Sequence, residues 1–231
     1  MAGDISLLLK QRLLEEGASL VGFGNITELT REKDADMKYG VSIAVCMTPS
    51  IVKNIKNGPT EEYYEEYKRL NILLNRLVTD GAELLKSNGF KAFAQTTSNV
   101  KEGDNFRTLY PHKSIATRSG IGWIGKCALL VTKEYGPAVR LSSILTDAPL
   151  EIGKPINTSR CNSCRVCSDS CPAKAATGEG WVLGKDRDEF FNAALCRQKA
   201  RERSAKIGIE ATICGKCIEV CPYTQKYINE K

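Results

Sequence analysis

The chain has 231 residues, 42% hydrophobic and 26% charged, with a formal charge of +6 of which +4 lies after residue 150. This composition excludes a disordered or fibrous chain and suits one medium domain with a smaller satellite, and the weak positive excess does not by itself call for nucleic acid. No apolar run approaches the roughly 20 residues of a membrane span, and MAGDISLLLKQRLLEEG sets acids among its leucines where a signal peptide has an unbroken apolar core, so a cytoplasmic protein with no membrane partner is expected.

In chain order, Asp4 stands where it caps a helix carrying Ile5, Leu8, Leu9 and Leu13 at helical spacing and ending at Gly17. LVGFG and VSIAVCM, residues 20–24 and 41–47, read as short buried strands. Pro59-Thr60-Glu61-Glu62 opens a long amphipathic helix with Leu70, Leu73, Leu74, Leu77, Leu84 and Leu85 on its apolar side and Gly89 near its end. FKAFAQ supplies a third strand. Residues 96–111, TTSNVKEGDNFRTLYP, form a polar loop of the kind that lines a site. HKSIATRS is helix-like, and KCALLVT and AVRLSSILTD give two more strands around the turn KEYGP. This alternation predicts an α/β or α+β core over residues 1–150, followed by a second domain over 151–231.

RSGIGWIGKCALLV, residues 118–131, has the Gly120-x-Gly122-x-x-Gly125 spacing of a dinucleotide fingerprint. That fingerprint needs a strand before its first glycine and a helix opening at its last, so that a pyrophosphate meets the helix N-terminus. Here a helix-like segment precedes and a strand-like one follows, which argues against a nicotinamide site.

Of ten cysteines, eight follow residue 160. RCNSCRVCSDSCPAK reads C-x2-C-x2-C-x3-C-P, the bacterial ferredoxin run in which three cysteines hold one [4Fe-4S] cluster and the fourth serves another. ICGKCIEVCPY repeats the pattern, with Ala211 where the leading cysteine belongs and Cys196, in ALCRQK, available as its substitute. The spacing therefore assigns Cys161, Cys164, Cys167 and Cys221 to one cluster, and Cys171, Cys196, Cys214 and Cys217 to the other. A residue before proline is forced extended, which turns the fourth sulfur of each run away from its own group. A disulfide framework suits an oxidising compartment, and zinc sites use C-x2-C pairs without the third cysteine and proline. A turn and a short helix begun near Asp186 deliver Cys196. The basic stretch CRQKARERSAK, residues 196–206, reads as solvated helix surface or a docking face for an electron donor or RNA. Cys46 and Cys127 are left as buried structural thiols.

RSGIGWIGKCALLV, then KEYGPAVRLSSILTDAPLE, then the split double-cluster motif resembles the epoxyqueuosine reductases and their relatives, the corrinoid-dependent reductive dehalogenases, over roughly residues 110–225. The resemblance implies a nitroreductase-like core that binds cobalamin or another corrinoid, or a flavin in the same pocket, with a ferredoxin-like domain beside it. It further implies that Gly120, Gly122, Trp123, Gly125 and Lys126, together with Tyr135, Gly136, Arg140, Leu141 and Thr146 of the following segment, line the cofactor pocket. A low-potential ferredoxin or flavodoxin would supply electrons, and the substrate would be a small molecule or a modified nucleoside.

The chain departs from that family in two places. It lacks the family's aspartate in a VD-type segment at the matching offset, which leaves Asp104, Tyr110 and the lone histidine, His112, as candidate proton donors. It also ends before the helical-repeat region with which the reductases engage tRNA, which weighs against a tRNA partner. The alternative reading is an electron-transfer module that keeps the clusters without the pocket's chemistry.

Overall fold

The computed structural model describes residues 2–230. It is a mixed α/β structure in two compact units, each assembled from separated stretches of chain: 1–45, 70–121 and 140–156 in one; 46–69, 122–139 and 157–231 in the other. The units therefore interleave in sequence, in contrast to the expected cut at residue 150. The physical reason is that segments 46–69 and 122–139 pack with the cysteine-rich tail.

The first unit is built on a sheet of β1 (Leu20–Asn25), β2 (Tyr39–Cys46), β6 (Val139–Thr146) and β3 (Ala92–Ala94), in that order. β1 is antiparallel to β2, with Leu20 opposite Ala44, and β3 is antiparallel to β6, with Phe93 opposite Leu145. β2 is central and buried along almost its whole length, which is why its sequence is a continuous apolar run rather than an alternating one. α1 (Ala2–Glu15) buries Ile5, Leu9 and Leu13 and leaves Leu8 exposed. It opens two residues before Asp4, so that carboxylate lies in the first turn, at the positive end of the helix, rather than at the cap.

Between β2 and the long helix lies α2 (Pro49–Asn54), which has no apolar periodicity long enough to announce it. α3 (Glu61–Ser87) begins where Thr60 Oγ1 accepts the backbone N–H of Tyr63 at 3.1 Å, buries Leu70, Leu74, Leu77 and Leu85, and is followed by Gly89 at φ +87°. α4 (His112–Arg118) packs on β1, and Gly24 makes that possible, because a Cβ there would lie 2.6 Å from the Arg118 carbonyl carbon. Arg118 itself is buried, paired with Glu28 at 2.9 Å and bonded to the Ile156 carbonyl at 3.2 Å.

In the second unit, β4 (Trp123–Ile124) and β5 (Leu130–Val131) form a short antiparallel hairpin. α5 (Val166–Asp169), α6 (Ala193–Ala205) and α7 (Lys216–Glu219) hold Cys167, Cys196 and Cys217, Cys221 precedes α8 (Pro222–Asn229), and α5 packs against α7 and α7 against α8. The helix expected near Asp186 is a single 3-10 turn, Arg187–Glu189, closed by a reciprocal capping box between Asp186 and Glu189. α6 starts afresh behind Asn192, whose side chain accepts the Leu195 N–H at 3.0 Å. Among the described residues no helix is long and apolar enough to cross a membrane.

Candidate metal centres

The two cysteine runs place their thiols on short turns rather than long helices. Cys167 lies in α5, Cys217 in α7, and Cys221 caps α8 with extended backbone (φ −66°, ψ 128°), the conformation that Pro222 imposes on the residue before it. Cys161, Cys164, Cys167 and Cys221 line one cavity of about 280 Å³, whose wall also includes Cys127 and Cys217. The cavity is far larger than a point about 2.3 Å from each of four sulfurs, the room a zinc ion takes. Cys196, held on α6, is close enough to Cys171 and Cys214 to feel both electrostatically.

Cys127, Cys167, Cys196 and Cys221 resist ionisation. Burial first, then the thiols of Cys171 and Cys214, push Cys196 up to about 11. Burial also pushes Cys221 up to about 11; the backbone N–H groups of Tyr223 and Thr224 oppose the rise, and Cys161 and Cys167 add to it. Contact with Cys127, then burial, drives Cys167 far above the thiol range. A hydrogen bond with Cys167 pulls Cys127 down, but contact with Cys217 and burial outweigh it and keep this thiol protonated. Thiols that would repel one another as anions in a part-buried cavity suit a multi-iron cluster, whose positive charge removes that penalty.

The glycine motif belongs to this wall. Trp123 Nε1–H donates to Cys161 Sγ at 3.4 Å, and Lys126 Nζ donates to the Asn162 carbonyl at 2.7 Å. At Gly125 a Cβ would meet Val131 Cγ2 at 2.7 Å and stand 3.7 Å from the sulfurs of Cys127 and Cys161. Gly122 allows close pairing within the hairpin, since a Cβ would lie 2.5 Å from the Val131 carbonyl oxygen. Gly120 (φ +77°) stands against the Lys154 carbonyl in the first unit, and Gly136 (φ +58°) against Thr224 in the second. Helix α4 precedes the motif and strand β4 lies within it, the reverse of a dinucleotide site. Further along, the Tyr135 ring meets Tyr227 edge-on at 5.0 Å, Arg140 bonds Asn71 Oδ1 at 2.9 Å, Leu141 is part-buried on β6, and Thr146 Oγ1 donates to the Lys91 carbonyl at 2.6 Å. Sequence reasoning missed that Trp123, Lys126 and Cys127 face the cysteines, because only the folded chain brings residues 123–127 to residues 161–167.

The candidate proton donors fall in the first unit. Asp104 is exposed on a 3-10 turn, and Tyr110 is buried with its hydroxyl donating to Asp34. Gln95 Nε2 donates to Ser143 Oγ at 2.6 Å, so the hydroxyl is available to donate onward to His112 Nδ1 at 2.7 Å. That chain assigns the histidine proton to Nε2. Burial first, and then Arg140, lower the His112 pKa to about 4, so at neutral pH its ring is a hydrogen-bonding group rather than an acid.

Residues 160–224 match the 4Fe-4S double cluster binding domain family, so this stretch carries the sequence of a double-cluster iron–sulfur domain. The chain is a relative of the epoxyqueuosine reductases and the reductive dehalogenases. The epoxyqueuosine reductase of Lactococcus garvieae is 35% identical over 48% of this chain and 31% of its own length, and the tetrachloroethene reductive dehalogenase of Sulfurospirillum multivorans is 32% identical over 48% of this chain and 23% of its own. The chain spans about a third of the length of the curated epoxyqueuosine reductases it matches. In fold, it superposes over 97% of its length on a catabolic reductive dehalogenase in complex with 3-bromo-4-hydroxybenzoic acid (TM-score 0.72, 16% identity, 32% of that chain). It superposes over 96% on the epoxyqueuosine reductase of Streptococcus thermophilus (TM-score 0.59, 21% identity, 66% of that chain).

Proposed function

We propose that this chain is an iron–sulfur oxidoreductase that holds two [4Fe-4S] clusters and passes electrons singly. Cys161, Cys164, Cys167 and Cys221 hold the first cluster; Cys171, Cys196, Cys214 and Cys217 hold the second. The observation that carries this reading is the company of Cys196, which lies with Cys171 and Cys214 although it belongs to neither run. Electrons enter from a low-potential ferredoxin- or flavodoxin-type donor, and the first unit is the counterpart of a nitroreductase-like core.

Two acceptors have support from different observations. Likeness in fold to a structure described as suggesting a mechanism for B12-dependent dehalogenation supports a corrinoid, which when bound supplies a cobalt centre for electron exchange with a substrate. The residues that the resemblance assigns to that corrinoid do not fit the role: Trp123, Gly125 and Lys126 face the cysteine cavity, and Gly120 and Gly136 are closed against protein atoms. The same contacts support the second reading, an electron-transfer module serving a partner protein.

An anaerobic cobalamin titration of the iron-reconstituted chain, followed by visible and electron paramagnetic resonance spectra, separates the two. Tight binding with a base-off cobalt signal establishes the corrinoid; no binding with both clusters intact establishes the module. Iron short of two clusters per chain overturns the oxidoreductase reading itself.

A further inference from the structure

The two groups of cysteines differ in what surrounds them. On the first, an indole N–H reaches Cys161 Sγ, and Lys126 stands on the cavity wall. Lys126 is only 7% exposed, and its hydrogen-bond partner at 2.7 Å is the Asn162 carbonyl rather than a carboxylate, so its charge is not cancelled at that contact. The guanidinium of Arg160 lies 5.9 Å from the centroid of the Trp123 ring and lines the same cavity. On the second group, Ala175 N–H donates to Cys171 Sγ at 3.4 Å, and Cys217 meets the buried Cys127 thiol on the wall of the first cavity, with no indole or ammonium hydrogen-bonded to their sulfurs among the described residues.

Reduction adds one negative charge to a cluster. Hydrogen bonds to the ligand sulfurs and a nearby cation stabilise that charge, and the effect of a cation grows as water is excluded. We infer that the cluster on Cys161, Cys164, Cys167 and Cys221 has the higher reduction potential of the two, and that Lys126 and Trp123 set the difference. The inference rests on the two-cluster reading above. An electron delivered by a low-potential one-electron donor to the second cluster then moves to the first: the second is reoxidised, the first is reduced by one electron, and no bond is made or broken. The glycine motif thereby has a role toward iron, with Gly125 leaving the space in which Trp123 and Lys126 flank the cavity.

The test is an anaerobic potentiometric titration of the reconstituted full chain, followed by electron paramagnetic resonance, with iron content measured on every sample. We expect two separate midpoints in the unaltered chain. Lys126→Met and Trp123→Phe should each lower the higher midpoint and spare the lower one at unchanged iron, and Lys126→Arg, which keeps the charge, should bring the higher midpoint back. Cys196→Ala should lose the lower midpoint and keep the higher. Coincident midpoints, a higher midpoint unmoved in both variants at full iron, or a Cys196→Ala protein that keeps the lower one each overturn the inference. Should Lys126→Met lose iron, the Trp123→Phe and Cys196→Ala results decide alone. Iron short of two clusters in the unaltered chain sinks the two-cluster reading instead.

Discussion

Cys171 lies close enough to Cys196, within the second unit, that together with burial and Cys214 it raises the Cys196 thiol above its ordinary value. No local repeat brings them together; Cys196 arrives on α6, behind the Asn192 cap. Cys196→Ala should therefore lower iron content by one cluster and leave the absorbance of the first cluster in place. Unchanged iron in that variant ends the case for the displaced ligand.

Gly136 has φ +58°, and a Cβ there would lie 2.5 Å from both the backbone N and the Oγ1 of Thr224, three residues after Cys221. Gly136→Ala should destabilise the chain by about 2 kcal/mol or more and release the first cluster's iron before the second's. Gly89 is the control, with φ +87° and open space around it, so Gly89→Ala should cost about 1 kcal/mol and leave iron untouched. Denaturant melts with parallel iron assays distinguish the two outcomes.

His112 titrates near 4 in the folded chain because burial disfavours its charged form, against an ordinary value of 6.5. The unfolded chain then binds more protons between those values, so stability is complete above about pH 6.5, declines as pH falls toward 4, and loses nothing further from this group below that. The upper bound on the loss is about 3.5 kcal/mol, since each pKa unit is worth about 1.4 kcal/mol. Thermal melts across this window should show the slope in the unaltered chain and a flatter one in His112→Gln; equal slopes would remove the buried neutral imidazole from the account.

On α6, Arg203 reaches the Asn57 carbonyl and Lys199 pairs with Glu202, while Arg201 and Lys206 are exposed. If this face receives an acidic electron donor, reversing both exposed charges (Arg201→Glu with Lys206→Glu) should weaken association about tenfold at low ionic strength, with the difference fading as salt screens it. A salt-independent affinity excludes this docking face.

The cysteine runs were legible because cluster ligation fixes spacing locally, the long helix because its leucines recur at helical spacing, and β2 and β6 because they are rich in β-branched and other apolar residues between turn signals. The reversed order around Gly120 was legible too, since helix and strand signals flank the motif. The role of Trp123 and Lys126 was not, because nothing within residues 118–131 tells which side of the hairpin will meet Cys161. The unit boundary was hidden for the same reason: residues 46–69 carry ordinary helical and turn signals, and only long-range packing assigns them to the cysteine-rich unit. The start of α6 was misplaced because Asp186 caps a helical turn correctly but only one turn follows it.

The threading of the second unit has a consequence for biogenesis. Its three segments, 46–69, 122–139 and 157–231, are synthesised at different times, so the earliest must wait for the last before it can bury its side chains. Long loop closures of this kind slow folding and leave sticky surface exposed meanwhile. The cysteine-rich tail packs with segments 46–69 and 122–139, so cut out alone it should not fold as a free-standing ferredoxin.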